Sequence, residues 1–182
     1  MSEPLRVVVL CTGNRFRSPL AAAVLQRATE GLLPVEVSSA GTLEVDGLPA
    51  LDEALAVAPK HGVDLGGHVA QRLRRGALAS ADLVLGFEKF HLAAAVVDGG
   101  AARSRVYTLP EIVGLLEELD EAEGATPVER ARARLAAAAD LRGTIGRPPE
   151  IADPFGEPAE RQQAIADEVV ALTERLASLL AA

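Results

Sequence analysis

The chain is short of the residues that usually staple or mark a protein. Among its 182 residues there is a single cysteine, Cys11, so an internal disulfide is excluded and thiolates are too few for a structural zinc site of the usual kind. Tryptophan is absent, aromatics make up 3%, and lysine occurs only at Lys60 and Lys89, a bias toward Arg and Ala that reads as coding bias. Positive charge is also in deficit: 18 Lys and Arg face 26 Asp and Glu, a net charge of −8 that opposes binding to nucleic-acid backbones. No run reaches the roughly 18 uncharged apolar residues that a membrane span needs. The start, MSEPLRVVVLCTGNR, turns charged too soon after its apolar stretch to read as a signal peptide, so no membrane partner and a cytoplasmic location are expected. With 49% apolar and 24% charged residues, disordered, collagen-like and disulfide-scaffold classes are excluded as well.

What is present is alternation. LRVVVL (5–10) is a continuous branched run, as a strand buried on both faces requires. CTGNRFRS interrupts it, and Ser18 then predicts an N-cap, Pro19 a first-turn proline and LAAAVLQRATE a helix closing near Gly31. VEVSS (35–39) predicts a second strand, PALDEALAVAPKHG a helix, QRLRRGALAS a short helix and DLVLGF (82–87) a third strand. EKFHLAAAVVD predicts a helix, RVYTL (105–109) a fourth strand, and the segment from Glu160 a long amphipathic helix. Strands that alternate with helices predict an α/β three-layer sandwich, a four-stranded parallel sheet flanked by helices, in one domain spanning 1–182. Residues 111–150, with the patterns EIVGLLEELDEAEG and PVERARARLAAAADLR and the loop GTIGRPPE, break the alternation and read as a helical insertion that serves as a lid or as packing.

The cysteine sits where chemistry is expected. Cys11 ends the first strand just before a helix N-terminus, the edge at which open α/β sheets bind ligands. Arg17 and Ser18 complete Cys-x5-Arg-Ser, a loop short enough for its backbone N–H groups to converge on one anion. Those N–H groups, the helix dipole and the guanidinium all stabilise negative charge on sulfur, so phosphate is the expected ligand and a thiolate the expected nucleophile. A buried, inert cysteine is the competing reading.

The stretch VLCTGNRFRSPLAAAV resembles the phosphate-binding loop of low-molecular-weight protein tyrosine phosphatases, meeting the family pattern at Cys11, Asn14, Arg17, Ser18 and Pro19. SSAGT (38–42), HGVDLGGHVAQRL (61–73) and ADLVLGFEKFH (81–91) resemble family segments in the same order, and ADPFG (152–156) resembles the Asp-Pro-aromatic acid loop. The resemblance covers nearly the whole chain outside 111–150. It implies that Cys11 attacks phosphorus in line, Arg17 and the loop N–H groups neutralise the transition state, and Asp153 protonates the leaving oxygen and later activates water. Thr12, Gly13, Asn14, Arg15, Phe16, Ser18 and Phe155 are the implied substrate-binding set. Asn14 would hold the loop, Phe16 and Phe155 would form walls, and Ser18 would either assist the sulfur or merely cap the helix. Three places depart from the family: Phe16 stands where a second cysteine is usual, Arg15 where an apolar residue is, and Phe87 and Glu88 lack the hydrophobic-acidic pair common at their position.

The implied substrate is phosphotyrosine in a protein, or a small aryl phosphate, with inorganic phosphate as product or inhibitor and neither metal nor cofactor required. The alternatives are an arsenate reductase relying on an external thiol, and a non-catalytic phosphoprotein-binding protein. Arg-Ser-Pro with an Asp-Pro loop favours the phosphatase, and a single cysteine excludes reductases that shuttle an internal disulfide. His61, His68 and His91 are not spaced as a metal pair and read as structural or exposed, while RLRR (72–75) reads as a solvated helix face or a contact for an acidic partner.

Overall fold

The structure is a computed structural model that describes residues 3–120, 122–143, 146 and 150–182. Four parallel strands form one sheet in the order β2-β1-β3-β4: β1 (Leu5–Cys11), β2 (Val35–Gly41), β3 (Leu83–Gly86) and β4 (Val106–Thr108). The pairing runs from Leu5 opposite Val35 to Cys11 opposite Gly41, and Val7, Val8 and Val9 face Leu83, Val84 and Leu85 on the other side. Each parallel pair needs a crossover, and helices supply it. They are α1 (Arg17–Ala28), α2 (Asp52–Val57) with a 3-10 turn at Ala58–His61, α3 (Lys89–Val97), α4 (Leu109–Glu117), α5 (Pro127–Asp140) and α6 (Ala159–Ala181).

Period-two alternation divides the core between the faces. Leu5, Val7, Val9, Leu83, Leu85 and Tyr107 point into a large cluster with residues of α1, α2, α4, α5 and α6. Leu10, Val84 and Val106 point the other way, against α3 and Leu78 and Ala81. The three-layer sandwich is therefore lopsided, with most helical mass on one face.

Two local expectations are corrected. Residues 71–80 are not a short helix: 71–74 run beside the end of β2, with Arg72 in a parallel bridge to Gly41, and 75–80 form turns. Gln71 and Leu73 instead bond Gly41 at the end of β2 through Gln71 O and Leu73 N, and Gly76 at φ 74° turns the chain out of helical geometry. Ser18 is not the N-cap of α1, because the helix begins at Arg17 and the hydroxyl is engaged elsewhere. In the segment read as an insertion, α4 and α5 bury Ile112, Leu115, Leu116, Val128, Ala131 and Leu135 in the large cluster. Thr108 and Thr126 cap these helices by accepting from the amides of Glu111 and Glu129. Most of the expected loop at 143–150 lies outside the described residues.

Candidate active site

The crossover after β1 lies on the large-cluster face and the one after β3 on the other, so a crevice opens between their carboxyl ends. Open α/β sheets bind ligands at such switch points. Residues 11–17 curl there around Asn14, whose φ of 53° is left-handed, a conformation Asn tolerates better than most residues. The turn brings Asn14 N–H to 3.2 Å from Cys11 Sγ.

Every polar group of Asn14 is engaged. Its Nδ2 donates to Ser18 Oγ and to Ser39 Oγ, both at 2.8 Å, and its Oδ1 accepts from Gln71 N at 2.9 Å. Its carbonyl lies 2.6 Å from His68 Nε2, which must carry a hydrogen to donate there. Because Ser18 Oγ already accepts from Asn14, the serine hydrogen is free to point at Cys11 Sγ, 3.0 Å away. The loop also lies directly on β2: a Cβ at Gly41 would stand 2.9 Å from Thr12 O and 3.0 Å from Asn14 N, so only glycine fits.

Arg17, 1% exposed, carries the positive charge under the loop. One amino group donates to Glu88 Oε2 at 2.7 Å and Ile151 O at 2.9 Å; the other donates to Asp153 Oδ2 at 2.5 Å and Thr12 Oγ1 at 3.2 Å. The guanidinium carbon also lies 5.5 Å from the centre of the Phe87 ring. Two carboxylates and a carbonyl thus compensate a buried cation that would be costly alone.

Cys11, Thr12, Gly13, Arg15, Phe16, Arg17, Asp153 and Phe155 line one cleft of about 250 Å³, together with Leu43, Val45, Leu48 and Leu51. Arg15 reaches sideways, its Nε donating to Pro49 O at 2.8 Å. Phe16 is buried in the large cluster and forms a wall, whereas Phe155 is 75% exposed at the mouth. Asn14 and Ser18 are buried beneath the loop. A wider cleft of about 460 Å³ lies beyond Leu43 among Arg72, Arg74 and Arg75. Arg72 and Arg74 are paired with Asp46, and neither cysteine nor serine is among the residues lining that cleft.

Sequence reasoning missed several partners of the loop. Glu88 and the Ile151 carbonyl hold Arg17, Ser39 and Gln71 hold Asn14, and two histidines read as structural or exposed touch the loop itself. His91 is fully buried at the start of α3; its Nδ1 accepts from the amides of Phe87 and Glu88, and its Nε2 lies 3.2 Å from Thr12 Oγ1. Burial, reinforced by the Arg17 charge and opposed by Asp153, pushes the His91 pKa down to about 3. The signal that would have found Glu88 and His91 is position, since both follow β3 at the same sheet edge as Cys11. His61 faces Asp167 of α6 at 3.0 Å. Among the described residues no three His, Cys, Asp or Glu side chains gather as a metal site would require.

Comparison with known proteins places this arrangement. A family model described as low molecular weight phosphotyrosine protein phosphatase matches residues 6–142. A protein-arginine-phosphatase from Geobacillus stearothermophilus is 31% identical over 177 residues, 97% of each chain. A probable low molecular weight protein-tyrosine-phosphatase, EpsP, from Ralstonia solanacearum is 42% identical over 79 residues, 43% of this chain and 52% of that one. Among solved structures, the YwlE arginine phosphatase from Geobacillus stearothermophilus superposes with a TM-score of 0.71 at 29% identity, covering 96% of this chain and 92% of the other. A low molecular weight protein tyrosine phosphatase from T. tengcongensis gives 0.70 at 29%, covering 94% and 97%.

Proposed function

The chain belongs to the low molecular weight phosphotyrosine protein phosphatase family, and on that premise we propose that it removes phosphate from phosphotyrosine in proteins through a phosphocysteine intermediate. The observation that carries the reading is one cleft with Cys11 and Arg17 in its floor, Asp153 on its rim and apolar walls around them. Cys11 Sγ attacks phosphorus in line while the P–O bond to the leaving group breaks on the far side. Asp153, a carboxylate while it is paired with Arg17, takes up a proton from solvent once that pair opens, gives it to the departing oxygen and then takes one from the water that cleaves the S–P bond. Arg17 and the N–H groups of residues 12–17 neutralise the equatorial oxygens. For this, Arg17 exchanges its bond to Asp153 for the phosphoryl group, which frees the carboxyl for proton transfer. Ser18 donates to the sulfur as nucleophile and leaving group. The walls of Leu43, Val45, Leu48, Leu51 and Phe155 suit a flat aryl ring, and Arg15 at the mouth disfavours a cationic substrate side chain.

A second reading, phosphoarginine as substrate, is favoured by the near full-length likeness to the Geobacillus protein-arginine-phosphatase. Matched peptides bearing phosphotyrosine or phosphoarginine, assayed side by side for phosphate release, separate the two. Higher kcat/KM on phosphotyrosine is expected; the reverse order assigns the chain to the second. Arsenate reduction with added thiol, run in parallel, is expected to be negligible beside hydrolysis.

A further inference from the structure

We propose that the Thr12 hydroxyl is itself a phosphate donor and that His91 is the positioning residue that aims it. The inference deepens the phosphatase reading and rests on it. It begins from the hydrogens available. His91 Nδ1 accepts from Phe87 N at 3.2 Å and Glu88 N at 3.1 Å, so in a neutral ring the single hydrogen must sit on Nε2. That nitrogen has Thr12 Oγ1 at 3.2 Å, while Glu88 Oε2 at 4.0 Å is beyond hydrogen-bond reach. His91 Nε2–H therefore donates to Thr12.

Thr12 Oγ1 also accepts from an Arg17 amino group at 3.2 Å. A hydroxyl oxygen has two acceptor positions and one hydrogen to give. Both acceptor positions are filled, from the helix side by His91 and from the loop side by Arg17. The remaining O–H is left to the cleft that Thr12 lines with Cys11 and Asp153. An incoming phosphoryl oxygen there receives a donor whose direction is set before binding, so little reorganisation is needed. Burial keeps the imidazole neutral, with Arg17 adding to the effect and Asp153 opposing it, so the arrangement is held across the working pH range. Nothing in the sequence pattern of the loop demands a histidine 79 positions away.

The test is binding, measured apart from turnover. Isothermal titration with orthovanadate is made on the wild type, Thr12→Val, Thr12→Ser, His91→Phe and the Thr12→Val/His91→Phe double variant, each checked for folding by circular dichroism. Loss of one charge-assisted donor predicts vanadate binding weaker by about tenfold or more in Thr12→Val, with Thr12→Ser close to wild type because it keeps the hydroxyl. His91→Phe is expected to lose several-fold, and the double variant no more than Thr12→Val, since an absent hydroxyl cannot be aimed. Wild-type affinity in Thr12→Val overturns the donor role, and additive losses in the double variant overturn the positioning role. Should His91→Phe fail to fold, imidazole nitrogen shifts of the wild type decide the tautomer, and a hydrogen on Nδ1 overturns the scheme. A wild type that binds vanadate yet hydrolyses no phosphoprotein refutes the proposed function and leaves this inference standing.

Discussion

In the proposed reaction the phosphate loop and the acid loop carry its two halves, and they are built in opposite ways. The loop from Cys11 to Arg17 is anchored at both ends by regular structure and beneath by Asn14, whose bonds reach Ser18, Ser39 and Gln71. Asp153 has a side chain 40% exposed, held by one contact to Arg17 and by a turn in which its Oδ1 accepts from Phe155 N at 3.1 Å. The charge that the proposed mechanism sets against phosphate is fixed by the core, and the carboxyl to which it gives the proton transfer lies nearer the surface. A binding site gains from preorganisation because any movement of its donors costs affinity. An acid that must first release Arg17 and then exchange its proton with water gains from access.

Variants at the two loops sharpen this contrast or break it. The largest effect is expected from Cys11→Ser, which should lower turnover on the order of 10⁴-fold or more while inorganic phosphate still binds within about tenfold of wild type, because Arg17 and the N–H groups remain. Initial-rate and titration data together check this, and retained hydrolysis would end the covalent mechanism. Next comes Asp153→Ala: about 10²- to 10³-fold loss on phosphotyrosine but about tenfold or less on substrates with activated leaving groups that need no proton. Equal losses would remove the acid from the surface loop. Asn14→Ala discards three side-chain bonds and leaves a left-handed alanine, so chemical denaturation should show about 3 kcal/mol less stability together with poorer phosphate binding. Phe155→Ala, on the exposed side of the comparison, should stay within about 0.5 kcal/mol of wild type in the same experiment.

The last prediction concerns acid. His91 has its pKa pushed down to about 3 in the folded protein, against an ordinary value of 6.5, by burial first and then by Arg17. As pH falls below 6.5 the unfolded chain takes up the proton while the folded one does not, so this group removes stability progressively down to about pH 3 and has no effect at neutrality. Asp82 acts in the same direction at lower pH. Burial raises its pKa, but the bond from Arg132, the Arg6 amide and the charges of Arg132 and Arg105 outweigh that and hold it below the usual carboxylate value. Stability measured against pH in His91→Asn should show a slope shallower by about one proton over this window; an unchanged slope would mean the imidazole is protonated in place.

Sequence made the phosphate loop legible because its determinants are consecutive: a branched run, then Cys11, Asn14, Arg17 and Ser18 within eight positions. The four strands and their order with the helices were legible for the same reason, since buried strands and helical spacing are local patterns. What holds the loop was not. Ser39, His68 and Gln71 reach Asn14 from 25, 54 and 57 positions away, and Asp153 and Ile151 reach Arg17 from 136 and 134. No periodicity marks a side chain whose partner lies across a sheet. The false helix at 71–80 arose similarly, because residues 71–73 lie extended beside Gly41, 30 and more positions away, a pairing that no local pattern marks.

The lone sulfur at the floor of the cleft has a redox consequence. A sulfur placed to attack phosphorus is equally open to peroxide, and oxidation to sulfenic acid would leave Cys11 with no thiol in the chain to condense with. Phe16, buried in the wall of the same cleft, offers no second thiol for an internal rescue. Recovery then falls to a small external thiol able to enter the cleft before sulfinic acid accumulates, and phosphate seated on the loop protects the sulfur by occupying the path an oxidant would take.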